Sequence, residues 1–236
     1  MSPETSPFQV RLAETEQDLL AAQRLRYRVF VEELGGDGPL VDHVGRFERD
    51  EFYRLLRSDQ AAAFGRFYSD AEYDLTALRR SGRRLLELGR SCVAAEQRGG
   101  VAMFLLWNAL ADYVLAHRIE VLFGVASFHG TDPGALRMPL AWLHHKHLAP
   151  EALRVRALPG HYQRMDLVPA AELDQRAAMQ AMPALIKAYL RLGGFVGDGA
   201  FIDHAFNTTD VCLLMDTARM NERHKGFFIR KHGARE

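Results

Sequence analysis

Residues 84–117, RLLELGRSCVAAEQRGGVAMFLLWNALADYVLAH, decide how the chain folds. The stretch opens as an apolar run behind Arg83-Arg84, with Glu87 and Arg90 set among leucines. A polar turn ending in Gly99-Gly100 follows, and then a long apolar helix begins. A strand that breaks at a glycine pair and opens a helix is built to hold an anionic group. The first helical N–H groups lack internal partners, and the helix dipole adds partial positive charge there. Gly99 and Gly100 carry no Cβ, so a phosphate or thioester arm can lie against the main chain. Glycine pairs also mark ordinary turns; this one gains weight from its place between strand and helix. The helix is apolar almost all round (Val101, Phe104, Leu105, Leu106, Trp107, Leu110, Tyr113, Val114), which predicts burial on most sides. Residues 120–128, EVLFGVASF, read as a second strand covered on both faces, with Gly124 marking a bulge or a close approach. Strand, helix and strand in succession predict a right-handed parallel crossover.

Toward the N-terminus, residues 8–12 alternate as a half-buried strand. Thr15 and Asp18 start a helix in capping-box fashion, and Gly35-Gly36 ends it. Its arginines divide: Arg24 and Arg26 read as a solvated face, whereas Arg28 can point inward beside Phe30. Residues 36–50 form a charged, turn-rich loop, and residues 53–57 a short strand. Four arginines (Arg79, Arg80, Arg83, Arg84) make the best local basic patch. Toward the C-terminus, residues 131–150 read as a loop and a helix holding His144, His145 and His147. Adjacent helical positions point in different directions, so no metal is expected there. Residues 154–158 read as a strand, and residues 177–192 as a helix that Pro183 kinks or restarts. Residues 201–206 and 210–216 read as strands around a turn, and the tail as a partly ordered helix.

The chain has 236 residues, 48% hydrophobic, with 30 basic and 30 acidic side chains. That is enough for a single domain with a large core, and the zero net charge argues against nucleic acid as a partner. Two cysteines in apolar runs, Cys92 and Cys212, and an N-terminus unlike a signal peptide suggest a reduced, cytoplasmic setting.

The stretches LRYRVF (residues 25–30), VDHVGRFERD (41–50), ELGR (87–90), GVASFHGTDP (124–133) and AFNTTDVCLLMD (205–216) together resemble the bacterial ornithine N-alpha-acyltransferases. Those are GNAT-like enzymes, similar in pattern to the acyl-homoserine-lactone synthases. The resemblance covers nearly the whole chain and implies one GNAT-like α/β (α+β) domain over residues 1–236. Its mixed central sheet would be flanked by helices on both faces and splayed around the acyl-donor arm. It also implies the reaction: a 3-hydroxyacyl group passes from acyl carrier protein to the alpha-amine of L-ornithine, giving lyso-ornithine lipid. There is one departure. Such proteins carry another strand and turn where Phe52 here runs straight into Tyr53. Removing a central strand would leave ladders unpaired, so omission of a segment is the preferred explanation.

Aminolysis of a thioester needs a neutral amine, and an amino-acid alpha-amine has a pKa of roughly 8 in water. A base and an oxyanion donor are therefore expected. Glu87, a carboxylate in an apolar strand, is the first candidate for the base, with Arg90 as its partner or as a second catalytic group. For substrate binding the resemblance points to Arg28, Asp42, Asp50, Asp203, Asn207 and Asp210. For the donor it points to Ser91, Cys92, Val93, Arg98, Gly99, Gly100, Ala102 and Ser127. Cys92, without a nearby histidine, reads as core, so direct attack by the amine is preferred over an acyl-enzyme. No cofactor is expected to bind tightly; the donor is acyl-4'-phosphopantetheine on acyl carrier protein, or CoA. An acidic carrier protein would meet Arg79, Arg80, Arg83, Arg84 and Arg98, and the lipid product suggests a peripheral place on the inner membrane. The alternatives are an acyl-homoserine-lactone synthase-like enzyme, an acyl-CoA-dependent N-acyltransferase, and a carrier-protein-binding module without activity.

Overall fold

The computed structural model describes residues 9–37, 41–48, 55–89, 92–98 and 101–219, with residues 47, 48 and 103 described by their backbone alone. Helix α1 (Glu16–Arg26) begins at the expected capping box, Thr15 and Asp18 each bonding the other's backbone N–H. It continues as a π-helix over Tyr27–Glu33, and Gly35 leaves it in the left-handed region at φ 70°. A small hairpin follows, β1 (Val41–Asp42) with β2 (Phe47–Glu48). Next come β3 (Leu55–Arg57), α2 (Ser58–Phe64), a 3-10 turn over Tyr68–Ala71, β4 (Tyr73–Asp74) and α3 (Thr76–Arg80). The deciding stretch then supplies β5 (Leu85–Leu88) and α4 (Val101–Ala116), and β6 (Val121–His129) returns beside β5. The second half holds α5 (Arg137–His147), β7 (Arg156–Ala157), β8 (Tyr162–Gln163), α6 (Gln175–Ala181) and α7 (Ala184–Arg191). It ends with β9 (Phe195–Val196), β10 (Ala200–Asp203) and β11 (Thr208–Asp216).

Seven strands form one mixed sheet in the order β3-β5-β6-β11-β10-β8, with β9 sharing the β10 edge of β11. Only β5 and β6 run parallel, as a strand-helix-strand crossover requires. Side chains alternate across this sheet. Leu86, Leu122, Ala126, Phe128, Val211 and Leu213 point to one face and pack against α5, α6, α7 and one side of α4. Leu85, Phe123, Cys212 and Leu214 point to the other, beneath Phe67, Tyr73, Leu75, Leu78 and Val155. A fully buried leucine or isoleucine on either face contributes about 1.5–3 kcal/mol, so both layers hold the sheet.

Several expectations change. Residues 9–14 carry no regular structure, and Val10 and Leu12 are exposed, because no described strand lies beside them; Phe8 lies outside the described residues. The strand expected to run on past Glu87 stops at Leu88, so Cys92 sits half-buried in irregular chain rather than in a strand. Helix α4 is not buried on most sides: Val101, Phe104, Leu106 and Leu115 face outward while Trp107, Leu110, Tyr113 and Val114 pack inward. The strand expected over residues 154–158 shrinks to β7, paired with β4. Arg26 is buried and Arg28 exposed, the reverse of the sequence expectation, because Arg26 lies four residues before Phe30 on the same side of the helix, whereas Arg28 is turned away from it. The junction at Phe52 and Tyr53 and the tail after Arg219 lie outside the described residues. A strand added before β3 would extend the outer side of β3, which has no partner among the described residues, and would not interrupt the sheet's interior.

Candidate active site

The two parallel strands part. Leu85, Leu86 and Glu87 pair with Val121, Leu122 and Phe123, and the ladder then ends. β6 runs on from Gly124 to His129 paired only with β11, so its other edge faces no strand among the described residues. Gly124 sits at the fork. A Cβ there would lie 2.1 Å from the Leu88 carbonyl oxygen, so only glycine lets β5 step across β6 at this point. Leu88, Gly124, Ala126, Leu185 and Tyr189 line a narrow apolar cleft on the helical face of the fork.

Glu87 is the last paired residue of β5 before the fork, and it points to the opposite face. It is 1% exposed, and a buried carboxylate persists only if donors reach it. The start of the 3-10 turn at Tyr68 supplies them, since the first N–H groups of a helical turn have no internal partner. Tyr68 N–H donates to Oε2 at 2.8 Å; Ser69 N–H and Ser69 Oγ donate to Oε1 at 2.7 and 2.5 Å. Burial raises the Glu87 pKa, and those three bonds pull it back only in part.

The same face carries a second group of acids. Asp210 on β11 stands opposite Ser127 on β6 and is 4% exposed. Burial raises its pKa to about 6, against hydrogen bonds from Ser127 and Thr208 that lower it. Glu72, 6% exposed, follows the 3-10 turn directly. Its neighbour Tyr73 fixes it there by donating its hydroxyl to the backbone carbonyls of Asp210 (2.9 Å) and Gly199 (3.1 Å). Burial lifts the Glu72 pKa well above the carboxylate range, and the charges of Asp210, Asp203 and Glu87 lift it further. Glu72 Oε2 and Asp210 Oδ1 are buried and accept no hydrogen bond. Burial raises the Tyr68 pKa, and the charges of Glu72 and Asp210 raise it further while Arg26 lowers it.

The structure thus brings Glu87, Ser127, Asp203 and Asp210 onto one face of the sheet. Asp203 lies at the rim, its Oδ1 accepting from the N–H groups of Ala205 and Phe206. Other expected residues stand elsewhere. Arg28 lies in an exposed groove, 3.5 Å from Glu96. Asp42 closes the β1–β2 turn by accepting from Val44 and Gly45. Asn207 is the exposed, left-handed corner of the β10–β11 hairpin at φ 51°. On the donor side, Arg98 bonds the Val93 carbonyl and pairs with Glu33 at 2.6 Å, Cys92 and Val93 are half-buried, and Ala102 lies in the first turn of α4. In the arginine patch, Arg83 pairs with Asp216 at 2.6 Å and Arg79 with Asp70, while Arg80 and Arg84 are exposed. Asp50, Arg90, Ser91, Gly99 and Gly100 lie outside the described residues.

Sequence reading missed Glu72, Tyr68 and Arg26. Glu72 sits in the run SDAEYD, which looks like any solvated acidic turn. Its one signal is the tyrosine beside it, whose hydroxyl reaches across the sheet.

Known proteins resemble the chain in sequence. The family model for the acetyltransferase (GNAT) domain covers residues 25–108. The chain is 64% identical to the L-ornithine N(alpha)-acyltransferase of Rhodobacter capsulatus, over 95% of each chain. It is 40% identical to the proteins of that name from Brucella abortus and Agrobacterium fabrum, which align with 94% of this chain and with 88% and 85% of their own lengths. The first alignment is 249 positions long against a chain of 236, so the relative holds residues with no counterpart here. No solved structure matches the chain.

Proposed function

The chain belongs to the L-ornithine N(alpha)-acyltransferase family, and on that premise we propose that it moves a 3-hydroxyacyl group from acyl carrier protein to the alpha-amine of L-ornithine. The product is lyso-ornithine lipid, and the reaction opens ornithine-lipid synthesis. The observation that carries this reading is the fork between β5 and β6 with a buried carboxylate beside it. The pantetheine arm lies along the open edge of β6, its amides meeting strand groups that no described strand occupies, and its acyl chain enters the apolar cleft by Gly124 and Tyr189. The amine attacks the thioester carbonyl, the C–N bond forms, the C–S bond breaks, and the thiol leaves with a proton. Glu87 takes the proton that the amine gives up, directly or through one water, and hands it to the departing thiolate. Backbone N–H groups near residues 91–93 stabilise the oxyanion, and Arg90 completes the catalytic pair.

Acyl carrier protein docks against the exposed arginines Arg80 and Arg84 and the loop before α4. No helix among the described residues is long and apolar enough to cross a membrane. Val101 and Phe104, exposed where α4 begins, suit a cytoplasmic enzyme that rests on the inner membrane while its amphipathic product departs.

Thiol release by the purified chain tests the reading. Acyl carrier protein and CoA thioesters are each offered with ornithine, lysine and S-adenosylmethionine. Release with the carrier-bound donor and ornithine is the expected result. Release with S-adenosylmethionine alone makes it a lactone-synthase-like enzyme, and donor binding without any release makes it a binding module. Glu87→Gln should lower kcat by roughly a hundredfold, the usual scale for losing a general base.

A further inference from the structure

We propose that Glu72 and Asp210 seat the side-chain ammonium of the acceptor, and so decide that a diamino acid is acylated in preference to a neutral one. The inference rests on the acyltransferase reading and assigns one part of its acceptor pocket.

Both carboxylates are more than nine-tenths buried, and each aims one oxygen, Glu72 Oε2 and Asp210 Oδ1, at no donor. The other acids nearby are already served. Glu87 is held by Tyr68 and Ser69, and Asp203 caps its own turn. Ser127 and Thr208 bond Asp210 but leave the second oxygen open. An acid in that state must take up a proton or a cation, because a bare buried charge is too costly. Two buried acids on one face of the sheet, each with an oxygen that accepts no bond, favour a cation over two separate protons. A primary ammonium suits them: it is a compact charge with three donors, enough to bond both carboxylates and one further acceptor. Arg26, buried with its guanidinium over the Phe30 ring, would meet the acceptor's carboxylate. The acceptor would then be fixed at both charged ends, leaving the alpha-amine to face the fork and Glu87. Tyr73 makes the seat rigid by tying the backbone beside Glu72 to that of Asp210.

The test compares L-ornithine with L-norvaline, which has the same carbon chain without the side-chain amine. Wild-type protein should favour ornithine in kcat/KM, and ornithine alone should raise its melting temperature. Glu72→Gln and Asp210→Asn keep the shape and remove the charge. Each should lower kcat/KM for ornithine by roughly tenfold to a hundredfold, through KM, and so shrink the preference for ornithine over norvaline. The thermal shift by ornithine should vanish in both variants. Equal losses for the two amino acids, or an undiminished thermal shift by ornithine in both variants, would overturn the proposal. If ornithine shifts the wild-type melt in the expected way but no donor is consumed, the seat stands and the transfer reading falls.

Discussion

The two faces of the sheet have the same strands and opposite chemistry. The helical face, under α5, α6 and α7, is lined by Leu86, Leu122, Ala126, Phe128, Val211 and Leu213, all apolar. The other face, built on the same strands one residue out of phase, carries Glu87, Ser127 and Asp210, with Glu72 set against it from the loop above. Strand alternation lets one sequence serve both ends, because neighbouring residues never share a face. The helical face supplies stability that does not depend on ligand. The acid face gives up some of that stability to keep buried carboxylates with unspent oxygens, as binding sites commonly do.

The largest effect expected from breaking this contrast is on the helical side. Ile186 on α7 is fully buried there, and Ile186→Ala should cost about 4 kcal/mol, the usual range for such a truncation. Denaturant unfolding would show it, while kcat per folded molecule should stay unchanged; a fall in kcat would mean that the helical layer also shapes the acceptor pocket. Gly124→Ala comes next, because it acts where the two faces meet. Its Cβ would strike the Leu88 carbonyl, a backbone atom that cannot swing away. A loss of about 3 kcal/mol is expected, with a fall in acyl transfer as β5 is pushed off the fork. Normal stability and activity in that variant would show that the strands have room to shift.

The third test uses pH. Asp210 has its pKa raised by burial from an ordinary 3.8 to about 6. A raised acid holds its proton more tightly when folded, so its contribution to stability is complete below 3.8 and is lost as pH rises through about 6. Wild-type protein should therefore lose stability from this group between about pH 4 and pH 6 and stay level above that. Asp210→Asn should flatten that slope and melt higher at pH 8, by an amount on the order of 2 kcal/mol. The amide keeps an oxygen for Ser127 and Thr208 and offers Glu72 a donor. A parallel slope in the variant would place the titration on Glu72 or another acid.

These contrasts were unequally visible in the sequence. The crossover, the capping box at Thr15 and the break at Pro183 follow from local pattern, and the structure has them where expected. Glu87 was legible because a charged residue within an apolar strand stands out whatever the tertiary structure, whereas Asp210 entered through the resemblance. Glu72 was not, since its burial depends on a tyrosine hydroxyl bonding residues more than a hundred positions away. The end of β5 at Leu88 was hidden for a similar reason: it coincides with the close approach of the Leu88 carbonyl to Gly124, a contact between residues far apart in the chain.

The smallest effect should come from the pair of arginines that sequence and structure assign differently. Both lie on one amphipathic stretch two residues apart, so they point to nearly opposite sides of the helix. Arg26 is four residues before Phe30, on the same side, and its guanidinium packs over the Phe30 ring at 4.4 Å. Arg28 meets only the exposed Glu96, and surface pairs of that kind contribute about 0–1 kcal/mol. Arg28→Ala should therefore leave stability nearly unchanged and KM for ornithine where it was. Arg26→Met, which keeps the apolar stem, should raise that KM without altering the far-ultraviolet circular dichroism. If the result is reversed, with KM rising for Arg28 and not for Arg26, the acceptor's carboxylate lies in the outer groove beside Arg46. The seat at Glu72 and Asp210 would then bind an amine whose other end reaches out of the fold, and the acid face would be an entrance rather than an enclosed pocket.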